Sequence, residues 1–442
     1  MYSVDYRTRL WIRHISLENI RCFENVHLDF KENGGHEKFT VFLGDNGSGK
    51  STILKAIALA IAGRASISWL VPDGSQWVRA GKDEGVVEAE INKSPDDSEL
   101  FSNITVKIKF KKSVRTPFWE SDKEISDFPP YAGWLAAGYG PFRVPPSLSE
   151  RKEFYESVEE PRISRVINLF QPRSKLISLD SWLKELDYER LKQGKSSLGV
   201  FIDAIHDLLP HDFPIRFSEI NKEGFAVFTT PYGNITLDNL SDGYRSMIVW
   251  VSDLLRNMML AFPNSTNILS SSGILLLDEL DVHLHPHWQR EIVSSLTKFF
   301  PNFQIISTTH SPLVIQGIKQ GKVVLCKRTE NGVILDDDLP SVEGWRADEL
   351  LEDNDFFGVN VYDNETQNQL DKHSQLIAKT SLTNQEEKEL ASIAEDLKSK
   401  RVVEPTIPDL DYRKVKNLAK KVEELKREKD KASGEVKDGD PG

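Results

Sequence analysis

The stretch that decides the fold is residues 44–52, Gly44-Asp45-Asn46-Gly47-Ser48-Gly49-Lys50-Ser51-Thr52. An apolar, β-branched run, residues 39–43, precedes it, and a helix-like run, residues 53–61, follows it. A strand, a glycine-rich turn and a helix with the pattern GxxxxGK[ST] together form a phosphate-binding loop. The alternative is a Gly/Ser loop that only ends a strand, and the strand and helix on either side favour the phosphate loop.

Each residue type in this phosphate loop has a physical role. The glycines let the backbone curl with its N–H groups inward, in conformations that a Cβ atom opposes. The helix that starts near Lys50 points its dipole and unpaired N–H groups at an anion. Lys50 supplies a charge for the β and γ phosphates, and the Ser51 hydroxyl is a ligand for Mg²⁺. The expected binding residues are Gly44, Asn46, Gly47, Ser48, Gly49, Lys50, Ser51 and Thr52.

Length and composition restrict the remaining possibilities. A chain of 442 residues is long enough for two or three domains with a sizeable core. No apolar run approaches the ~20 residues that span a bilayer, and the N-terminus lacks the apolar core of a signal peptide. Two cysteines in such a chain indicate a reducing compartment, so we expect a cytoplasmic protein with no membrane partner. The net charge of −12 argues against a protein built wholly to coat nucleic acid, but it allows a local basic groove.

Two acidic residues end an apolar run in the second half of the chain. Residues 273–277 are continuously apolar, as a central parallel strand requires, and Asp278 and Glu279 follow. A helical segment and a strand over 303–307 come next, and His310 closes that strand. This order predicts a right-handed parallel sheet with its ligands at the carboxyl ends of the strands. There Asp278 is expected to hold Mg²⁺, Glu279 to orient or deprotonate the attacking water, and His310 to hydrogen-bond the γ phosphate.

Other segments predict the elements around this core. Residues 104–110 alternate apolar and polar side chains, which indicates a half-buried strand. Its lysines form a basic stripe that is either a solvated sheet face or a contact for a phosphate backbone. The Pro-, Gly- and aromatic-rich residues 121–146 are typical of an ordered connecting loop. Residues 148–209 are mostly helical in pattern, and residues 323–325 are expected to form the last strand of the sheet.

The character of the chain changes after Trp345. Residues 383–386 match a helix capping box, and apolar residues recur at helical spacing behind them. Apolar residues between 415 and 425 form a short amphipathic seam, which suits a partner helix or the body of the protein equally well. Residues 432–442 are polar and are expected to be disordered.

The segment Leu240-Ser241-Asp242-Gly243 distinguishes this chain from other phosphate-loop proteins. With the motifs above, it resembles the ABC-type ATPases of the RecF/SMC branch, whose signature motif is Leu-Ser-x-Gly. The resemblance implies an α/β fold, the ABC-type P-loop ATPase head. Such a head has a mixed or parallel sheet with helices on both faces, a β-subdomain and a helical lobe. We expect it over 1–345, with a helical or lid insertion at about 120–235, and a partner-binding C-terminal helical extension over 346–442.

The same resemblance implies that the signature motif completes the site of a second subunit. Two ATP molecules are then enclosed between two heads in a head-to-tail homodimer or a higher oligomer. Ser241 and Gly243 at a helix N-terminus make a second anion site. Asp281 matches the family's D-loop, which reaches across the same interface, and Arg21 matches an early segment that touches phosphate. The family's glutamine on a loop between the lobes has no counterpart, because residues 139–143 lie at that place without one.

Three histidines after the paired acids allow a zinc interpretation. His283, His285 and His287 are spaced by two, so they share a metal only if this segment is extended. The resemblance offers a simpler account, because residues 278–289 are similar to a sequence of RecF-like and OLD-like ATPases. The sequence therefore favours a family motif over a metal site.

A narrower resemblance links the chain to the ATPase subunits of bacterial anti-phage systems of the Septu-type and retron-associated kinds. It implies an Mg²⁺-dependent ATPase whose dimer regulates or scaffolds a small HNH-type nuclease. Residues after Trp345 lack the apolar strands ending in acids that a Toprim nuclease needs, so we expect no nuclease site in this chain. Two other functions stay open at this point: a RecF-like repair factor that binds DNA when loaded with ATP, and a stand-alone nuclease.

Overall fold

The computed structural model describes residues 10–32, 35–93, 104–121, 135–143, 161–172, 174–193, 197–209, 215–263, 265, 267–379, 381–400 and 402. The chain divides into two compact units between Val359 and Asn360. The seam between 415 and 425 and the tail 432–442 lie outside the described residues.

The described strands are, in chain order, β1 (Leu10–Ile20), β2 (Phe23–Asp29), β3 (Lys31–Glu32), β4 (Gly35–His36), β5 (Phe39–Leu43), β6 (Glu84–Lys93), β7 (Ile104–Lys111), β8 (Val114–Ser121), β9 (Ala136–Tyr139), β10 (Arg216–Ile220), β11 (Ala226–Thr230), β12 (Gly233–Thr236), β13 (Gly273–Leu277), β14 (Phe303–Thr309), β15 (Lys322–Thr329) and β16 (Gly332–Asp336). The described α-helices are α1 (Lys50–Ala62), α2 (Arg64–Leu70), α3 (Pro161–Phe170), α4 (Leu179–Gln193), α5 (Ser197–Leu208), α6 (Asp242–Ala261), α7 (Pro286–Phe299), α8 (Pro312–Gln316), α9 (Ala347–Glu352), α10 (Asn364–Ile377) and α11 (Asn384–Ser399). None of the helices in the described part of the chain combines the length and the apolar character needed to cross a bilayer.

A six-stranded sheet forms the centre of the first unit. Its order is β16-β15-β5-β14-β13-β9, and every neighbouring pair is parallel except β15 with β16. β5, β13 and β14 are buried along their whole length; this explains the continuously apolar sequence of β13, whereas β14 also buries polar residues such as Gln304 and Thr308. Leu43 at the end of β5 lies opposite Thr309, and Leu277 at the end of β13 lies opposite Ser307. The phosphate loop, the paired acids and His310 therefore follow neighbouring strands at the same edge of the sheet.

Two predictions about this sheet were wrong. Residues 121–146 are not only a connecting loop, because β9 within them pairs with β13 at the edge of the sheet. Residues 323–325 do not form the last strand, because β16 follows β15 and pairs with it antiparallel. β9 has the sequence Ala-Ala-Gly-Tyr, whose small residues have little intrinsic preference for a strand. β16 is mostly exposed or half-buried, so its apolar pattern is weak.

A second, antiparallel sheet has the order β2-β1-β6-β7-β8 and shares a hydrophobic cluster with α1. The predicted alternation in β7 is confirmed, because its apolar residues are buried on one face. On the other face each lysine lies beside a glutamate of a neighbouring strand, in the pairs Lys107–Glu88 at 3.0 Å, Lys109–Glu120 at 2.9 Å and Lys111–Glu84 at 3.8 Å. These pairs favour a solvated sheet face over a contact for a phosphate backbone.

A helical lobe lies between β9 and α6 in the chain. It contains α3, α4 and α5 and a small antiparallel sheet with the order β10-β11-β12. α6 follows it and runs for 20 residues, with Met247, Trp250 and Leu254 among its buried side chains. A central parallel sheet, an antiparallel β-subdomain over the phosphate-loop helix and a helical lobe make up the ABC-type ATPase head. The predicted fold class is confirmed.

The second unit contains a pair of helices, α10 and α11. The predicted capping box at Thr383 is confirmed, because its hydroxyl accepts from the Glu386 N–H while the Glu386 carboxylate accepts from the Thr383 N–H. Polar contacts join the two helices, among them Lys372 with Glu389, and Gln369 with Asp396 at 3.2 Å. Few side chains of these helices are buried; those that are include Thr366, His373, Leu376 and Leu397.

Candidate nucleotide site

The phosphate loop connects β5 to α1. Gly49 has a φ of +88°, and a Cβ atom there would lie 2.5 Å from the Cys22 Sγ atom, so only glycine fits. Lys50 is 5% exposed, and its ammonium donates to the carbonyls of Gly44 at 2.7 Å and Asp45 at 2.8 Å. Burial lowers the pKa of this ammonium. The loop therefore holds a buried cation at a helix N-terminus, which is an arrangement that binds anions.

A cavity of about 280 Å³ opens at this loop, close to the lower end of the size range of ligand sites. Its lining residues come from separate parts of the chain and are Arg21, Cys22, Asn46, Gly47, Gly49, Lys50, Ser51, Thr52, Asp278, Glu279 and His310. All of them except Cys22 were predicted as site residues. Gly44 and Ser48 complete the loop without lining the cavity, and Ser48 is fully buried.

Thr308 connects the two acids that follow β13. Its hydroxyl donates to the Asp278 carboxylate at 2.7 Å and accepts from the Glu279 backbone N–H at 2.7 Å. Asp278 is buried, whereas Glu279 is half-buried and has a φ of +49°, a strained conformation for this side chain. Burial raises the pKa of Glu279, and the charges of Asp278 and Asp281 raise it further. The geometry gives Glu279 the raised basicity that suits a general base.

His310 follows β14 and lines the same cavity. Burial lowers its pKa, and the Lys50 charge adds to the shift, so the imidazole is neutral at pH 7 and able to donate one hydrogen bond. The Asp281 carboxylate fixes this turn by accepting from the Thr309 hydroxyl at 2.5 Å and from the His310 N–H at 3.3 Å. Asp281 thus positions His310 within its own chain. A contact between Asp281 and a second subunit stays a prediction.

Arg21 reaches the cavity from the turn between β1 and β2. Its φ is +47°, and its guanidinium lies 4.6 Å from the centroid of the Trp77 ring. It donates to the Thr52 hydroxyl at 3.3 Å, in the first turn of α1. Burial lowers its pKa, yet its charge remains at the end of the helix where the phosphates are expected.

The signature residues Ser241 and Gly243 lie at the N-terminus of α6. Neither is among the described residues that line the cavity of this chain. Ser241 is exposed, and its side chain makes no capping hydrogen bond although it occupies the N-cap position. A Cβ atom on Gly243 would lie 2.4 Å from the His283 carbonyl oxygen, so α6 packs tightly against the segment after the acids. Within the signature motif, Ser241 and Asp242 are therefore exposed to solvent, whereas Leu240 and Gly243 pack against the chain.

Residues 78–316, more than half of the chain, match the family described as "AAA domain, putative AbiEii toxin, Type IV TA system". The chain belongs to this AAA domain family. The matched span includes the signature motif, both acids and His310, and it begins after the phosphate loop.

The chain also has relatives with names. The chain is 27% identical over 411 residues to the Septu protein PtuA of Bacillus mycoides (strain KBAB4), covering 92% of this chain and 53% of that protein. It is 25% identical over 384 residues to the Retron Vc95 probable ATPase of Vibrio cholerae serotype O1 biovar El Tor, covering 71% of this chain and 73% of that protein. The chain thus spans about half the length of the Bacillus mycoides relative. The predicted resemblance to Septu-type and retron-associated ATPases is confirmed.

Among solved structures, an SMC head bound to the C-winged helix domain of ScpA matches 74% of this chain and 97% of its own. The identity is 15% and the TM-score is 0.48.

Gln289 is a structural residue of the AAA domain that sequence reasoning did not single out. Its side-chain amide donates to the Leu284 carbonyl at 2.9 Å and accepts from the Ser311 hydroxyl at 2.6 Å. Ser311 caps α8 directly after His310, and His285 occupies the N-cap of α7. The histidine-rich segment therefore positions the elements around the cavity, and the described residues contain no group of three or more His, Cys, Asp or Glu side chains that could hold a metal ion.

Arg143 was also missed as a site residue. It lies in residues 139–143, where the family's glutamine was expected, and its guanidinium donates to the carbonyls of Asp278 and Glu279. The signal in the sequence was a lone basic residue within an apolar, glycine-containing turn. Such a signal is weak, because most arginines lie at the surface.

The donor set in the cavity fits Mg²⁺. Ser51 and Asp278 both line it, and Mg²⁺ is commonly held by a hydroxyl and one or two carboxylates together with substrate phosphates. When bound, Mg²⁺ would neutralise charge on the triphosphate.

Proposed function

We propose that this chain is an Mg²⁺-dependent ATPase that closes as a dimer around two ATP molecules and controls a partner nuclease in anti-phage defence. The observation that carries the proposal is the separation of two half-sites. The cavity at Lys50 holds the groups for binding and hydrolysis, whereas the exposed N-terminus at Ser241 holds a second set of anion-binding groups.

Binding of ATP is supported by the charges around the cavity. Lys50 and Arg21 supply two cations at the N-terminal turn of α1, where the helix N–H groups add a positive partial charge. Three phosphates with a bound Mg²⁺ match this set of donors.

Hydrolysis is supported by the acids and His310. Glu279 takes a proton from the attacking water, because its raised pKa makes it a better base than a free carboxylate. The neutral His310 donates a hydrogen bond to the γ phosphate and stabilises charge on its oxygens. Thr308 holds the backbone of Glu279 and the carboxylate of Asp278, so the main chain that carries the base and the proposed Mg²⁺ ligand have fixed positions.

Dimer closure is supported by the state of the α6 N-terminus. An exposed N-cap serine without a capping bond leaves its hydroxyl and the first N–H groups of a 20-residue helix available to an anion. The γ phosphate of an ATP molecule bound to a second copy is such an anion. ATP therefore joins the two copies, and hydrolysis separates them. Asp281 precedes His283, whose carbonyl contacts Gly243, by two residues.

The experiment measures ATP hydrolysis and molar mass of the purified chain with Mg²⁺. We expect hydrolysis, and a mass that doubles when a slowly hydrolysed ATP analogue is added and returns to the starting value with ADP. Hydrolysis by a species that keeps the mass of one chain at every nucleotide concentration would contradict the dimer. No nucleotide binding at all would contradict the whole proposal.

The proposed partner is a small HNH-type nuclease, and the similarity to the Septu protein PtuA supports it. The test is co-expression of this chain with the products of the genes on either side of its own, with capture on a tag on this chain. A stable complex that cuts DNA, while this chain alone does not, is the expected result. Cleavage by this chain alone would instead identify it as the nuclease, and an ATP-dependent, salt-sensitive gel shift without any partner would identify a RecF-like DNA-binding factor.

A further inference from the structure

Arg143 is a charged residue enclosed in the core of the first unit. Its side chain is 5% exposed and follows edge strand β9 by four residues. The guanidinium donates to the Gly140 carbonyl at 3.1 Å, to the Asp278 carbonyl at 2.7 Å and to the Glu279 carbonyl at 3.1 Å. All three acceptors are backbone groups, so the bonds fix the course of the main chain rather than a side-chain rotamer.

The charge of Arg143 is balanced by the carboxylates around it. Burial lowers its pKa to about 10, and the charges of Asp278, Asp281 and Glu279 oppose the shift. The guanidinium is therefore protonated at pH 7. Burying a charge is unfavourable unless hydrogen bonds replace those to water, and Arg143 makes three such bonds. Two of these bonds go to the peptide units that carry the proposed magnesium ligand and the proposed base.

Arg143 also contacts the helix that begins at the signature motif. Its guanidinium carbon lies 5.9 Å from the centroid of the Trp250 ring, and Trp250 is on α6. On the same turn, Tyr139 packs 5.6 Å from Trp250 and donates to the Asp253 carboxylate at 2.9 Å. Asp253 is also on α6 and accepts from the Asn257 amide at 2.9 Å. One short turn, residues 139–143, thus joins α6 to the acids.

We propose that Arg143 is a positioning residue that holds the Asp278–Glu279 backbone in its reactive geometry and couples it to α6. The inference rests on the proposed ATPase function, because it states which residue fixes the base of that reaction. Glu279 has a left-handed φ of +49°, which the surrounding structure must maintain. The Glu279 carbonyl accepts a hydrogen bond from Arg143, and the Glu279 N–H donates one to the Thr308 hydroxyl, so this residue is held from both sides.

The test compares the full chain with Arg143→Gln and Arg143→Lys. Lys keeps the charge but cannot donate from two forked nitrogens, so it is expected to recover part of the loss. For Arg143→Gln we expect kcat to fall by about 10- to 100-fold because the base is displaced, with KM and analogue affinity within about threefold of wild type. Arg190→Gln is the matched control, because Arg190 is an exposed arginine paired with Asp187 on α4; its kcat is expected to equal that of wild type.

A second measurement does not depend on turnover. Hydrogen exchange of the nucleotide-free protein is expected to be faster at residues 279–284 in both Arg143 variants, and unchanged in β5 and α1. Should Arg143→Gln fail to fold, Arg143→Lys alone decides the matter by the same two measurements. Wild-type kcat and wild-type exchange in the Lys variant, or a raised KM with unchanged kcat, would overturn the inference. An inactive wild type would overturn the proposed function instead, and the exchange result would still test the positioning role.

Discussion

Two helix N-termini in this chain carry similar anion-binding groups in opposite surroundings. At α1 the chain surrounds the end of the helix: Lys50 is 5% exposed, and the acids and His310 line the adjoining cavity. At α6 the end is open, because Ser241 is exposed and caps nothing. Both ends attract anions through their free N–H groups and dipole.

The difference indicates a separate role for each helix end in binding the triphosphate. The α1 cavity brings together, from one chain, the groups proposed to bind the triphosphate and to activate water. The α6 end carries Asp242, paired with Arg245, in its first turn, and neither Ser241 nor Gly243 is among the described residues that line the α1 cavity. We therefore propose it only as a second contact for a phosphate held by another copy. A tight contact between Gly243 and the His283 carbonyl sets the position of this open end against the segment that follows the acids.

The largest expected effect comes from removing the base at the enclosed site. Glu279→Gln keeps the shape of the side chain but cannot accept the proton of water. We expect kcat to fall by about 10²- to 10⁴-fold, while ATP still binds and holds two copies together. Steady-state hydrolysis and light scattering with ATP check this, with the exposed Glu291→Gln as control. Normal hydrolysis by Glu279→Gln would show that the base lies elsewhere.

Lys50→Ala removes the buried cation of the enclosed site. Charge-assisted bonds to phosphate are lost, so ATP affinity is expected to fall on the order of 100-fold, and ATP should no longer join two copies. Calorimetric titration measures the affinity. The control is Lys82→Ala, an exposed lysine 3.9 Å from Glu24 and away from the cavity, which should bind ATP as wild type does. Equal affinity in both variants would contradict the assigned phosphate site.

A smaller effect is expected at the open end. In Gly243→Ala the new methyl group meets the His283 carbonyl, so α6 must shift, and we expect a loss of about 1–3 kcal/mol in the free energy of unfolding. Urea denaturation measures this loss. ATP affinity of the single chain should change little, because Gly243 does not line the cavity. A variant as stable as wild type would show that this contact does not fix the position of α6.

The sequence predicted the parts of the site that depend on contiguous residues. The phosphate loop, the acids after β13 and His310 each follow a strand whose burial produces a recognisable apolar run, so the topology brings them to one edge of the sheet. The signature motif was equally recognisable, because its serine and glycine are adjacent to a helix start.

The parts that were missed depend on contacts between distant residues. Arg143 bonds to a carbonyl 135 positions away, and Gln289 accepts from Ser311, 22 positions away. Every residue type has a backbone carbonyl, so the sequence does not reveal which residue accepts a bond of this kind. Strand β9 was missed because its place in the sheet comes from pairing with β13 rather than from its own propensity.

The central claim is that the open end of one copy completes the enclosed site of another. The direct test mixes two inactive variants, Lys50→Ala and Ser241→Arg, after each has been purified and shown to be folded. In a mixed dimer both substitutions fall in one site and the other site is intact, so random pairing should restore about a quarter of wild-type hydrolysis. Activity in the mixture that neither variant has alone is the predicted result. A mixture as inactive as its components, or full activity of Ser241→Arg on its own, would contradict the account.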